Sequence, residues 1–339
     1  MAMKINHLKA KNTLLDFLKE SPMPCMKGME SSVVSHWIQN PKDKIYADFY
    51  DVFCDTLSSR KYKKNHVENS GYQELLFDFD IPFPPHSKPK FTFIDLFAGI
   101  GGFRLALQEA GGKCIFSSEW DKEAQKTYEH NFGEVPFGDI TKREIKNLIP
   151  SEFDILCAGF PCQAFSLAGQ RKGFKDKYKG SSRGTLFFDV VEIAKKHKPK
   201  VIFCENVKGL TIHDKQRTFK IIISTLEETG YTVYFQILNS KHFGVPQNRE
   251  RVYIVAFRND IDSSCFKFPT EHKKNVKIRD ILEGKTVSAK YYLSTQYLQT
   301  LKNHRARHEA KGHGFGYVIR DLDDVSGAVV CGEIGRAHV

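Results

Sequence analysis

From Phe91 onward, short apolar runs alternate with amphipathic stretches, and the alternation predicts the fold. The runs are FTFIDLF (91–97), KCIFSSE (113–119), FDILCAG (153–159), KVIFCEN (200–206), YTVYFQIL (231–238) and RVYIVAF (251–257). Each is short and rich in β-branched and aromatic residues, as buried strands are. Helix-period stretches fall between most of them, at 103–110, 121–132, 184–197 and 214–229. Strand–helix alternation of this kind predicts an α/β fold with a doubly wound, mostly parallel sheet. No helical pattern separates the last two runs, so they are expected to form an antiparallel pair at a sheet edge.

Before Phe91 the pattern changes. NTLLDFLKES and SVVSHWIQN have helix-like apolar spacing, and residues 1–88 are expected to form a separate helical accessory region. The proline-rich DIPFPPHSKPK (80–90) is the natural boundary. Plain packing of Val33, Val34, Trp37 and Ile38 is the favoured reading of the second helix; part of a small DNA-binding helical unit is the competing one.

Charge sharpens the division. The 339-residue chain holds 51 Lys+Arg against 40 Asp+Glu, a net +11. Residues 1–88 are nearly neutral, with 12 basic and 11 acidic side chains, so the excess lies in the strand–helix region. A basic excess there suggests a polyanionic partner, nucleic acid before membrane. The eight cysteines show no C-x-x-C pair and no zinc spacing, which suggests a reduced intracellular protein and no metal. No apolar run is long enough to span a bilayer, so a cytoplasmic location is expected.

In doubly wound sheets, ligands bind beyond the carboxyl ends of the strands. After the first strand comes FAGIGG (97–102), with glycines at 99, 101 and 102 that allow a tight turn and close approach to a ligand. Its spacing is not the dinucleotide G-x-G-x-x-G. After the second strand stand Glu119, placed to accept from ribose hydroxyls, and Trp120, either an adenine platform or a core indole. Asp139, in FGDIT, either accepts from an adenine amino group or caps a helix. Together these stations describe a nucleoside pocket.

After the third strand comes Pro161-Cys162. A thiol at a strand end faces the cleft, and a thiolate there is a strong nucleophile. Cys157 and Cys204 lie inside apolar runs and read as core. The stretch 163–183 carries Arg171, Lys172, Lys175, Lys177, Lys179 and Arg183 against Asp176, a basic loop suited to phosphates. Glu205 ends the fourth strand and suits proton handling. Arg249 and Arg251 alternate on one strand, sharing a face, and suit a carbonyl oxygen or an anion.

The ordered set FIDLFAGIGGFR, SEWD, GDIT, GFPCQAFS, RGTLFFD, ENVKGL and FGVPQNRERVYIVAF resembles the DNA (cytosine-5) methyltransferases of bacterial restriction–modification or Dcm-like kind, over about residues 91–330. The resemblance implies a Rossmann-like, S-adenosylmethionine-dependent catalytic domain. It implies that Cys162 adds covalently to a flipped cytosine, that Glu205 contacts N3, and that Arg251 with Arg249 holds the O2 side. Phe97, Gly99, Gly101, Glu119, Trp120, Asp139 and Pro161 match positions lining the cofactor pocket. Double-stranded DNA is the implied partner, with a cognate restriction endonuclease a possible one, and a monomer is expected. A transfer-RNA methyltransferase on the same scaffold and a non-catalytic DNA- or cofactor-binding remnant are the alternatives.

The expected organisation is thus 1–88 accessory, 89–285 catalytic and 286–332 a partial target-recognition region. The family's later motifs, a TPRE-like segment and a GNSV helix, are not found. EIGRAHV (333–339) back-translates in one reading to the start of a common sequencing adapter, so these residues are expected to be a scar on a truncated chain that is weakly active or inactive.

Overall fold

The strand-forming runs assemble into one six-stranded sheet. The computed structural model describes residues 4–60, 76–161, 186–271, 276–284, 288–289, 292–312 and 319–328. In chain order the elements are β1 (Lys4–Asn6), α1 (His7–Glu20), α2 (Glu30–Gln39), α3 (Ala47–Arg60), β2 (Leu76–Asp78), β3 (Phe91–Leu96), α4 (Gly102–Glu109), β4 (Gly112–Ser118), α5 (Lys122–Phe132), α6 (Arg143–Lys146), β5 (Ile155–Ala158), α7 (Leu186–His197), β6 (Val201–Val207), α8 (Arg217–Glu228), β7 (Tyr231–Asn239), β8 (Gln247–Asn248), β9 (Glu250–Arg258), α9 (Thr295–Glu309) and β10 (Ser326–Gly327). The sheet order is β4-β3-β5-β6-β9-β7.

The four strands from β4 to β6 run parallel, with Phe93 opposite both Cys114 and Ile155, and Cys157 opposite Phe203. β3 and β4 are buried along most of their length, which is why their sequences read as continuous apolar runs. The order reverses at β3: β4 lies on one side and β5 on the other, the switch point beside which doubly wound sheets bind ligands. β7 and β9 are neighbours at the far edge. Asn259 bonds back to Gly230 and Ser240 to Arg249, so the two strands run in opposite directions, as expected.

Two compact units emerge. One takes the described residues through Phe235 together with Tyr253–Cys265. The other takes Gln236–Val252 and the described residues from Phe266 onward, so this division falls before the expected 285/286 boundary. In the second unit β8 and β10 form a short parallel pair, Lys277 and Arg279 grip Asp323, and α9 buries none of its residues.

Residues 4–60 belong to the first unit and do not form a unit of their own. Val33, Val34, Trp37 and Ile38 are buried, with Trp37 edge-on to Phe53 at 5.1 Å. All of Ser32–Gln39 is buried, so α2 offers no face to a DNA groove. The proline-rich connector is strapped down as well: Phe83 N donates to Asn131 O, and Gln108 Nε2 donates to the carbonyls of Phe83 and Pro84.

What ties these helices to the sheet is a buried polar cluster. Arg104 on α4 is fully buried and donates to Glu134 Oε1 (2.7 Å), Gln39 Oε1 (2.6 Å), Gln108 Oε1 (2.7 Å) and Tyr128 OH (3.1 Å). Ser117 Oγ also donates to Glu134 Oε1. His36 donates from Nδ1 to Ser32 O and accepts the Ser117 N–H at Nε2, which fixes one neutral tautomer. Burial would push Glu134 up, but Arg104 foremost, with the Ser117 hydroxyl, outweighs it and holds its carboxyl below the ordinary range. Burial pushes His36 down, against the pull of Glu134.

Both shifts have the same sign for stability. The unfolded chain takes up a proton at His36 near 6.5 and at Glu134 near 4.5, and the folded chain only at lower pH. Stability is therefore full above these values and lost as pH falls through each. Asp95, fully buried with its carboxyl pushed well up, works in the opposite sense, so the melting temperature is expected to decline in two stages on acidification that this group partly offsets, followed by circular dichroism. His7 and His197 are also pushed down by burial, so His36→Gln should shrink the upper stage without abolishing it.

Candidate active site

The chain leaves β3 through a left-handed turn. Phe97 has φ 56°, Gly99 55° and Gly101 95°, and α4 starts at Gly102. A non-glycine residue in this region is strained, so Phe97 ends the strand one residue earlier than its apolar character suggests. Gly101 is required on two counts. Its φ suits glycine, and a Cβ there would sit 2.2 Å from Cε2 of Phe132, a ring locked in the core. Gly99 differs: a Cβ there would meet nothing within 4 Å, so its bare backbone borders open space.

Glu119, at the end of β4, clamps this turn. It is 8% exposed, and its two carboxylate oxygens accept Gly99 N and Asp121 N, each at 2.8 Å. Each oxygen keeps a second acceptor position. Gln125 Nε2 secures the Glu119 carbonyl from α5. Trp120 is 65% exposed, which removes the core-indole reading and leaves a flat apolar face beside Glu119. Ile100, on the glycine turn, is 60% exposed.

The third station is tied to the other two. Glu119 N donates to Phe137 O, Phe137 N to Ser117 O, and Ala98 N to Ser118 O. Ser118 Oγ bonds Gly138 O at 2.7 Å. Asp139 Oδ1 accepts both Thr141 N and Thr141 Oγ1, while the N-cap of α6 is Lys142. Asp139 therefore holds a turn and is not the helix cap that its position also suggested.

A second cluster forms where β5 and β6 end. Asn206 is 2% exposed and donates from Nδ2 to Phe160 O at 2.8 Å, tying the chain before Pro161 to β6. Gly159 lies between the two clusters: a Cβ there would be 3.8 Å from Phe97 O and 4.0 Å from Glu205 Oε2. The half-buried Glu205 carboxylate is thus close to the backbone that leads into Pro161. Cys162 and the basic stretch 163–183 lie outside the described residues. Cys157, Cys114 and Cys204 are fully buried, and burial pushes all three thiols up, that of Cys204 to about 12. These three are core thiols, as the apolar runs around Cys157 and Cys204 suggested.

The two arginines belong to the second unit by its contacts. They do not alternate along one strand. Arg251 lies in β9, whereas Arg249 sits in the break between β8 and β9, where its N–H is directed at Gln247 O and Asn239 Oδ1. The polar side chain of Asn239 replaces a ladder partner at that break. Sequence reasoning missed Gly159 and Gln125, and it missed the buried Arg104–Glu134 pair. A charged residue on the inward face of the short helix after the glycine turn was the available signal for the last. Among the described residues no cluster of His, Cys, Asp and Glu could hold a metal, and no helix is long and apolar enough to cross a membrane.

Gly101→Ala tests the turn. Overpacking against Phe132 together with the positive φ is expected to cost about 2–4 kcal/mol of unfolding free energy. Gly99→Ala should cost only the backbone strain, about 1–2 kcal/mol. Urea unfolding of both variants measures the difference.

Comparison with known proteins agrees with this geometry. The C-5 cytosine-specific DNA methylase family matches residues 91–332. The chain is 60% identical over 274 residues to the Type II methyltransferase M.HpaII of Haemophilus parainfluenzae, covering 80% of this chain and 75% of that protein. It is 50% identical to the Type II methyltransferase M.HhaI of Haemophilus parahaemolyticus, over 56% of each chain. It is 46% identical to the Type II methyltransferase M.SsoII of Shigella sonnei, over 76% of this chain and 68% of that protein. Among solved structures, the S. pombe Dnmt2 methyltransferase shares the fold, with TM-score 0.53 and 19% identity over 74% of each chain. With the family model matching most of the chain and a relative 60% identical, the chain belongs to the C-5 cytosine-specific DNA methylases.

Proposed function

We propose that this cytosine-5 methylase takes its methyl group from S-adenosylmethionine and works on a flipped cytosine in duplex DNA, at a specific site, through a covalent Cys162 adduct. The observation that carries the cofactor reading is the Glu119 clamp. Its carboxylate holds the glycine turn with one lone pair on each oxygen and keeps another on each for ribose hydroxyls. The open space beside Gly99, the exposed face of Trp120 and the remaining oxygen of Asp139 suit an adenosyl group. Phe97, Gly101 and Pro161 complete that lining. The bound cofactor supplies one thing, an electrophilic sulfonium methyl.

The protein must supply a nucleophilic C5. The Cys162 thiolate adds to C6, forming an S–C6 bond and moving the electron pair toward C5. Glu205 contacts N3 and stabilises the ring as that charge develops. Arg251, with Arg249, holds the O2 side. C5 then takes the methyl as the methyl–sulfur bond breaks, and the sulfur would keep that electron pair as a neutral thioether. Loss of the C5 proton to solvent returns the electron pair to the ring, breaks the S–C6 bond and frees the thiolate. The target base must leave the stack for this chemistry, and the basic stretch 163–183 suits the phosphates on either side. The enzyme is read as a monomer. A cognate restriction endonuclease is proposed as a partner.

The test is methyl transfer from labelled S-adenosylmethionine to duplex DNA. Wild-type protein should yield 5-methylcytosine, and Cys162→Ser should yield none. Glu205→Gln should lose about 10²–10⁴-fold in rate, the usual share of a positioned proton-handling group. Labelling of RNA in place of DNA would overturn the substrate, and full activity of Cys162→Ser would overturn the covalent route.

A further inference from the structure

We propose that α2, which precedes the region matched by the family, is a positioning element of the cofactor pocket, acting through Ser32, Ser35, His36 and Gln39. The proposal rests on the reading of the pocket given above. These four residues recur at helical spacing and share one face of α2. All four are buried, with His36 fully so. Each bonds backbone that leads directly into a pocket station. Ser32 Oγ donates to Pro136 O at 3.1 Å, Ser35 Oγ accepts Val135 N at 3.0 Å, and Gln39 Nε2 donates to Phe132 O at 2.7 Å. His36 Nε2 accepts Ser117 N at 3.1 Å.

The segment 133–136, which joins the end of α5 to Phe137, is irregular, so its peptide groups and the last carbonyl of α5 lack a ladder. Three of them find partners on α2. This segment delivers Phe137, whose carbonyl accepts Glu119 N, and then Asp139. Ser117 lies two residues before Glu119. Gln39 Oε1 also accepts from Arg104 on α4, the helix that the glycine turn begins. One helix face thereby reaches the approaches to all three stations. The apolar side of α2 packs within its own layer, with Trp37 against Phe53 and Phe77. Apolar packing alone fixes separation loosely, whereas hydrogen bonds to backbone fix register.

The experiment compares the double variant Ser32→Ala/Ser35→Ala with His36→Gln and with Leu14→Ala. Leu14 is fully buried in α1 and bonds none of the pocket segments, so its truncation loosens the layer without touching them. S-adenosylmethionine affinity is measured by calorimetry on the whole chain, with thermal unfolding and separate KM values for cofactor and DNA. The double variant and His36→Gln should bind S-adenosylmethionine about tenfold more weakly, as loss of one or two hydrogen bonds implies. Their kcat at saturating cofactor and their KM for DNA should stay near wild type. Leu14→Ala should melt earlier yet bind the cofactor as wild type does. Equal weakening by Leu14→Ala would show that α2 acts only through stability, and unchanged binding by the α2 variants would remove its role. A wild-type chain that binds no S-adenosylmethionine would overturn the cofactor reading itself, and the inference with it.

Discussion

The structure depends on how it keeps the Arg104 guanidinium charged in a dry interior. An isolated charge at that depth is costly, and removing one partner of a buried pair typically costs about 3–5 kcal/mol. Arg104 meets this constraint with partners from separate parts of the chain: Glu134 beyond α5, Tyr128 on α5, Gln108 on its own helix and Gln39 on α2. Its ring contacts add to this, with the guanidinium 4.8 Å from the Phe132 centroid. The fixed charge therefore acts as an assembly point. The glycine turn lies two residues before it, so the geometry of the turn is set by a cluster that a ligand never needs to touch.

From that point the architecture follows in a chain of constraints. Phe132 is held by the cluster and in turn leaves no room for a side chain at Gly101. The turn then presents Gly99 N to Glu119, and Glu119 N reaches Phe137 O. At the switch between β4 and β5 these backbone groups are fixed by the fold itself, and groups preset in this way lower the ordering cost of binding.

Much of this was legible in the sequence. The six strands and the helices between them follow the apolar runs to within a few residues, because the parallel strands are buried on both faces and say so in composition. The strand-end residues were legible for the same reason: a doubly wound sheet leaves few places for a ligand. What the sequence could not tell concerns polar groups that look solvent-bound when read singly. Gln39, His36 and Arg104 sit in segments whose neighbours are polar enough for a surface, and their meeting requires contacts across the chain that no local period encodes. Arg249 escaped for a different reason. Its alternation with Arg251 fits a strand, but Asn239 bonds the backbone at that point and breaks the ladder. Trp120 illustrates the limit of composition: an indole is usually sheltered, and only the surrounding surface reveals this one as open.

The bond from Asn206 to Phe160 joins the ends of neighbouring strands at the point where each hands over to its own chemistry. Glu205 and the chain entering Pro161 therefore share one rigid mount, with Asn206 as the bolt. The spacing between the two strand ends is thus set locally, by one amide and one carbonyl, and does not depend on the longer loops that follow them.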